Sequence, residues 1–340
     1  MWRKWLISVL IIVVAISLAA CSAQQSSQKV NQQPATGQPA TTEAGKGQGT
    51  VAKDDKNIKV GIVVNGQGNF FNAGIFQETQ RLVKEKGGTP VALDSLGQRE
   101  KMLSDIETLI QQNVDALIVL LGDPTFLEPA LKKAKEKNIP WISVAAGFHP
   151  LVDLEIDSND WAMGAKVAAY MAARLGGKGK IVEIYGDLIL PTRARAEALR
   201  AVLKEYPEIQ IVERHAYAWP GFLEDCRKWM ETVLQKYPKP GDIQAVFAAF
   251  DGAGIGAAQA IEAAGRKEIF VVGIDGDPLA YENMRNKGVF AATAAHDLKG
   301  MAEKAVEWAF RMAKGEKPPV KMMFIDSPLI TQENVPPATK

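Results

Sequence analysis

Cysteine is nearly absent from this chain. Its 340 residues hold two, Cys21 and Cys226. Cys226 has only Cys21 to pair with, so a disulfide scaffold is excluded. Histidine is equally scarce: His149, His215 and His296 are all there are. None has a partner four residues away, and no Cys or His cluster has the spacing of a metal site. There is no G-x-S-x-G elbow or other nucleophile motif, so an enzyme reading has no catalyst to name. Excess charge is missing too. Forty basic residues face 39 acidic ones, which leaves no electrostatic footprint for nucleic acid. The one long apolar run, residues 6–20, is shorter than a comfortable membrane span.

That run has a basic start at Arg3 and Lys4 and ends in Leu18-Ala19-Ala20-Cys21. The ending resembles a bacterial lipobox, which implies cleavage before Cys21 and lipid on the cysteine. A plain signal peptide or an uncleaved anchor are the alternatives. Each places the remaining chain outside the cytoplasm. Residues 22–56 are rich in Gln, Ser, Thr, Pro and Gly. They cannot bury enough apolar surface to offset ordering entropy and read as a tether.

From residue 58 the pattern turns regular. Strands are expected at 58–64, 90–93, 116–121 and 140–144, with helices at 72–86, 99–112 and 124–137 between them. A second series follows. It has helices at 161–175, 192–205, 221–237, 252–264, 279–286 and 298–314. Its strands lie at 180–185, 210–214, 245–249, 269–272, 289–294 and 322–325. Repeated βα units with short loops predict parallel sheets covered by helices on both faces, in two lobes. Periodicity alone does not assign the last helix to a lobe.

The second series centres on IFVVGIDGDP, residues 269–278. Four apolar residues suit a strand covered on both faces. Gly273 and Gly276 bracket Asp275, and Asp277-Pro278 is N-cap followed by first-turn chemistry. Asp275 is therefore expected at the carboxyl end of a parallel strand, the edge where open α/β sheets bind ligands. A capping aspartate without a ligand is the other reading.

Other stretches carry candidate contacts. Asn65-Gly66-Gln67-Gly68-Asn69-Phe70-Phe71 offers amides and two aromatics at a strand-to-helix turn; one Phe is expected in the core and one in a cleft. Arg193 and Arg195 fall at an expected helix start, where a cation opposes the helix dipole. They suit a solvated first turn or a contact to an anion or hydroxyl. Trp219-Pro220-Gly221 puts a rigid aromatic on a loop, for packing or for stacking. Gly252-Ala253-Gly254-Ile255-Gly256-Ala257 matches a weak dinucleotide fingerprint, with Asp275 about twenty residues on. Export from the nicotinamide pool argues against that reading, and packing alone accounts for such glycines.

These pieces resemble the sugar-binding proteins of ABC transporters, of the ribose-binding type. The resemblance runs from Asn57 to about Asn334. It is carried by Asn69-Phe70-Phe71, Asn138-Ile139-Pro140, Asp157-Ser158-Asn159 with Gly164, Gln244 to Ala248, Val272 to Gly276, Ala292-Thr293 before His296, and Lys314-Gly315-Glu316. It implies an α/β fold of two doubly wound parallel-sheet lobes joined by a three-crossover hinge. The crossings would lie near Asp157, His296 and Ile325, with the last helix returning to the first lobe. The implied division is residues 1–20 as signal, 21–56 as lipidated tether, 57–157 plus 297–325 as lobe 1, and 158–296 plus 326–334 as lobe 2.

Carried over residue by residue, the ligand contacts would be Asn65, Phe70, Phe71, Arg195, Trp219, Phe250 and Asp275, with His296 at the hinge. Cys21 would bear lipid, and no metal or cofactor is implied. The partners would be a small sugar, polyol or similar molecule, an ABC permease, and the membrane through the lipid. The chain would be a monomer that binds no nucleic acid and performs no catalysis.

Three positions depart from the ribose-type pattern. Ala145-Ala146 stand for an Asp-Arg clamp, and Phe250 stands for Asn. A buried donor or acceptor left unpaired costs about 1–3 kcal/mol. The ligand is therefore expected to lack hydroxyls at those edges, which points to a deoxy sugar, a small polyol or a ring such as a nucleobase. Three other functions compete with this one. A sensing subunit for a receptor or chemoreceptor would share the fold. A transcription regulator would need a helix-turn-helix before residue 58, where the tether stands. An exported dehydrogenase would need tight nicotinamide binding.

Overall fold

A computed structural model of the chain describes residues 54–338. The signal sequence, Cys21 and nearly all of the tether lie outside the described residues. Twelve strands and nine α-helices are found among those described. The first series is β1 (Lys59–Val64), α1 (Phe70–Glu85), β2 (Thr89–Asp94), α2 (Arg99–Gln111), β3 (Ala116–Leu120), α3 (Glu128–Glu136), β4 (Trp141–Val144) and β5 (Leu154–Asp157). The second is α4 (Asp160–Arg174), β6 (Lys178–Tyr185), α5 (Leu190–Leu203), β7 (Glu208–Ala216), α6 (Phe222–Lys236), β8 (Ala245–Ala248), α7 (Asp251–Ala263), β9 (Phe270–Asp275), α8 (Pro278–Arg285) and β10 (Phe290–Ala295). After these come α9 (Leu298–Ala313), β11 (Met322–Phe324) and β12 (Leu329–Thr331). No described helix is long and apolar enough to cross a membrane.

The strands form two six-stranded sheets, ordered β11-β5-β4-β3-β1-β2 and β12-β10-β9-β8-β6-β7. The first is parallel throughout. The second is parallel except for β12, which runs antiparallel to β10. Both faces of each sheet are covered, which is why β3 is buried at all five positions and reads as an unbroken apolar run. On the first sheet, Ile75 of α1 and Val306 of α9 share a core with Ile62 and Ile118. Ile106 of α2 and Leu131 of α3 cover the other face. On the second, α6, α7 and α8 bury Met230, Ile261 and Met284, and α4 and α5 bury Met171 and Leu199 opposite them.

The chain passes between sheets three times: from Asp157 to Asp160, from Ala295 to Leu298, and from Phe324 to Leu329. The passages are bonded to one another. Ile325 N–H donates to Asp157 O (2.8 Å), Ala295 N–H to Pro328 O (2.9 Å) and the Ser327 hydroxyl to Ser158 O (3.4 Å).

Most elements lie within a few residues of their expected bounds, and the differences have local causes. The sequence pattern missed β5 because LEID carries an acid at an inward position. The acid is tolerated because Glu155 Oε1 accepts the N–H groups of Ala146 (2.9 Å) and Gly147 (3.0 Å). It also missed β12, which is only three residues long. Helix α3 opens at Glu128 rather than at residue 124, because Asp123 Oδ1 accepts the Thr125 N–H (2.9 Å) in a turn. Helix α5 opens at Leu190 rather than at residue 192. Arg195 thus falls in its second turn, clear of the N-terminal dipole.

Candidate functional site

Asp275 ends β9 and is 7% exposed. Its φ of 142° is one that side chains rarely adopt, and such residues cost about 1–3 kcal/mol and gather at functional sites. The strain is held by the turn that follows. Asp251 Oδ2 accepts the N–H groups of Gly276 and Asp277, both at 2.9 Å, and the Thr293 hydroxyl at 2.8 Å. Burial, reinforced by the Asp275 charge, pushes the Asp251 carboxyl well above the usual range. Asp277 in turn caps α8 at the Leu279 N–H (2.8 Å).

Arg195 is the counterpart of Asp275. It is 4% exposed and every arm of its guanidinium is engaged. Nε donates to Asp160 Oδ1 (2.7 Å), and Nη1 to Ala249 O and Asp275 Oδ1, both at 3.0 Å. Nη2 lies 2.9 Å from His296 Nε2. A guanidinium only donates, so Nε2 accepts and the proton sits on Nδ1, which faces Ser158 Oγ at 2.8 Å. Burial opposes the arginine's charge, but Asp160 and Asp275 outweigh it and hold its pKa above the ordinary value. Asp275 Oδ2 accepts no hydrogen bond from the described residues.

A cavity of about 50 Å³ lies between the lobes against this pair. From the first lobe it is lined by Asn65, Asn69, Phe71, Asn72 and Leu121. From the second come Leu188, Ile189, Thr192, Arg195, Tyr217, Trp219, Phe250 and Asp275, among others. Asn69 Oδ1 caps α1 at the Asn72 N–H (2.8 Å). Asn72 Nδ2 donates to Gly66 O (2.7 Å), while its buried Oδ1 has no partner. Phe250 meets Tyr217 and Phe222 edge-on, at 4.7 and 4.9 Å between centroids, and Trp219 stacks on Phe222 at 5.4 Å. Trp219 also closes the cavity against the first lobe. A Cβ on Gly97 would come within 2.5 Å of its Nε1, and one on Gly68 within 3.3 Å of its ring.

Of the residues singled out in the sequence, Asn65, Phe71, Arg195, Trp219, Phe250 and Asp275 line this cavity. Two stand elsewhere. Phe70 is 39% exposed and outside the lining, because the helix turns it outward while Phe71 packs inward. His296 sits behind the wall, its ring 4.2 Å from that of Phe71, and joins Arg195 to Ser158 at the first crossing. Asn69 falls in the amide stretch the sequence pointed to, although it was not among the contacts carried over; Asn72 and Thr192, inside helices, and Tyr217, just past β7, carry no motif and were missed. Ala145 and Ala146 do not line the cavity.

The glycines of α7 are packing glycines. Cβ atoms at Gly252, Gly254 and Gly256 would meet Phe222, Phe290 and the Leu223 carbonyl at 2.6, 3.1 and 2.3 Å. The fold also gathers His215, Asp225 and Cys226. His215 Nε2 lies 2.7 Å from Asp225 Oδ2, and its ring stacks on Trp229. Burial pushes the Cys226 thiol up to about 12, so it offers a thiol and no thiolate. A larger groove, about 510 Å³, lies between α7 and α8 on the second lobe and has no residue of the first lobe in its lining.

Two doubly wound lobes, three crossings, and a buried charged pair facing a space between the lobes define a class of hinged binding protein. Residues 60–317 match the model of the periplasmic binding protein domain family, and the chain belongs to that family. It is 29% identical over 294 residues to the xylitol-binding protein of Mycolicibacterium smegmatis, covering 85% of this chain and 81% of that one. It is 28% identical to the ribose import binding protein of Bacillus subtilis, covering 77% and 84%. Among solved structures, an ABC transporter solute-binding protein from Agrobacterium vitis with bound allitol matches with a TM-score of 0.78 at 28% identity, covering 82% of this chain and 97% of that one. An ABC sugar transporter subunit from Rhodobacter sphaeroides matches with a TM-score of 0.77 at 31% identity, covering 82% and 99%.

Proposed function

We propose that this chain is the extracytoplasmic solute-binding component of an ABC importer, capturing one sugar or polyol between its lobes and presenting it to a permease. Relatives named for xylitol and ribose, and a neighbour holding allitol, support the ligand class. The observation that carries the reading is the Arg195–Asp275 pair in the cleft wall, with Asp275 Oδ2 open to a hydroxyl. Contacts from both lobes exist together only when the cleft is shut, so binding energy favours closure. No covalent step is needed. The lipobox-like ending at Cys21 supports attachment to the membrane by lipid, and the protein acts as a monomer.

The test is calorimetric titration of the full chain with aldoses, alditols, nucleosides and purines, beside its Asp275→Ala variant. A sugar or polyol is expected to bind. Asp275→Ala removes the charged acceptor a ligand hydroxyl would reach, a hydrogen bond worth about 1.5–3 kcal/mol, so the variant's affinity should fall at least about tenfold with the melting curve of the free protein still cooperative. Binding of purines alone would end the sugar reading. Equal affinity in the variant would remove Asp275 from the site.

A further inference from the structure

The two lobes also meet outside the cavity. Gly147, in the loop after β4, lies against Leu190, the first residue of α5, and a Cβ on Gly147 would overlap the Leu190 side chain. Neither residue lines the cavity. Resting on the two-lobe capture reading above, we infer that Leu190 seated on Gly147 is a closure latch. It holds the cleft shut from outside and sets the affinity for every ligand without touching any.

The first-lobe half is a fixed notch. Gly147 has a φ of 98°, which a side chain would strain, and its bare Cα leaves the space that Leu190 fills. The fully buried Glu155 pins the loop, because its Oε1 accepts the N–H groups of Ala146 (2.9 Å) and Gly147 (3.0 Å). Ala145 and Ala146 bring only methyl groups, are buried, and stand outside the cavity lining. The side chains at this end of β4 thus have nothing polar for a ligand. What the loop presents is a seat for the other lobe.

The second-lobe half is an apolar run, Leu188-Ile189-Leu190. Leu188 and Ile189 reach the cavity wall, and Ile189 packs against the core of the first lobe. Leu190 goes to Gly147 and still keeps 37% of its surface exposed. Separating the lobes would return the covered part to water, so this contact favours the shut form. Helix α5 carries both Leu190 and Arg195, so opening moves the latch and the ligand site together. Apparent affinity scales with the fraction of chain in the binding-competent form. A contact that only raises that fraction tightens all ligands by one common factor.

The experiment has two arms on the full chain. An ideal Cβ on Gly147 lies 3.6 Å from the Leu190 Cβ, and disulfide Cβ atoms lie about 3.5–4.5 Å apart. G147C/L190C is therefore expected to cross-link under a mild oxidant without added ligand, as peptide mass mapping would show. The locked chain should neither take up nor release ligand until reduced. In the second arm, Leu190→Ala is titrated with ribitol, xylitol and D-ribose. Each probe that binds the parent chain should weaken about four- to tenfold, all by the same factor, and Leu190→Met should restore binding by keeping the bulk. A pair that stays reduced, or a cross-linked chain that still exchanges ligand, would overturn the latch. So would unchanged affinity in Leu190→Ala, and unequal factors would make Leu190 a ligand contact instead. Binding of no probe would end the sugar reading, and the cross-link alone would then decide the latch.

Discussion

Two pairs of carboxylates flank the first crossing, Glu155 with the half-buried Asp157 before it and the buried Asp160 and Asp275 beyond it, and the pairs have different partners. Beyond it, Asp160 and Asp275 share the guanidinium of Arg195. Before it, Glu155 and Asp157 at the end of β5 form no ion pair among the described residues, and Glu155 Oε2 and Asp157 Oδ1 have no hydrogen-bond partner. Burial, with the charge of Asp157 beside it, pushes the Glu155 carboxyl well above the usual range. Burial and the Asp160 carboxylate push Asp157 up to about 7, against a partial counter-effect from Arg195. Asp160 and Asp275 have a cation in direct contact, whereas Glu155 and Asp157 have none and burial disfavours their charged forms. A site that grips hydroxyls needs fixed charge, whereas a strand end that only joins two lobes does not.

The strongest way to break this contrast is Arg195→Met. It leaves Asp160 and Asp275 buried without a cation, and removing one member of a buried ion pair costs about 3–5 kcal/mol. Urea denaturation should show that loss, and ligand titration should show no binding. A loss under about 1 kcal/mol would mean that the two acids do not depend on the guanidinium, and the contrast with the hinge would fail.

The sequence made the charged half of the contrast partly legible and hid the other. Asp275 could be placed at a strand end because glycines and an N-cap surround it, and such turn chemistry is local. From the sequence, Arg195 reads as a helix-start residue, exposed or ligand-facing. Its burial depends on Asp160, which is 35 residues away, and on Asp275, 80 residues away, and no local pattern reports such distances. Glu155 was invisible for the opposite reason: an acid inside a four-residue strand looks like a loop until its N–H donors are known. The sheets were readable because strands covered on both faces are apolar throughout. The first-lobe amides were readable only as a cluster, since Asn72 is separated from its fellow amides by a helical turn.

A smaller effect is expected from Asp157→Asn. Its folded pKa lies near 7, above the ordinary value of 3.8. Between about pH 4 and 7 the folded chain therefore holds a proton that the unfolded chain has released. Stability from this group is fully present below pH 4, falls as pH rises to 7, and is level beyond. Asparagine mimics the neutral acid and keeps a donor for Asp160 at every pH. The variant should be more stable than wild type at pH 8 by about 1–3 kcal/mol, with the gap shrinking towards pH 4. Denaturation midpoints at pH 4, 6 and 8 measure it. A gap that stays constant with pH would show that Asp157 titrates at its usual value and that the hinge side carries charge after all.

Glu155→Gln should do least. A glutamate that is neutral in the folded chain has glutamine as its near-isostere, and the Gln oxygen can still accept from the Ala146 and Gly147 N–H groups. Stability at pH 7 should change by no more than about 1 kcal/mol, and ligand affinity should be unaltered, because residue 155 is outside the cavity lining. A loss of several kcal/mol would carry a definite meaning. It would show an ionised Glu155 held by those two backbone dipoles, which is charge pairing by the main chain in place of an arginine. The two sides of the crossing would then differ in the partner they use and not in whether they keep their charge.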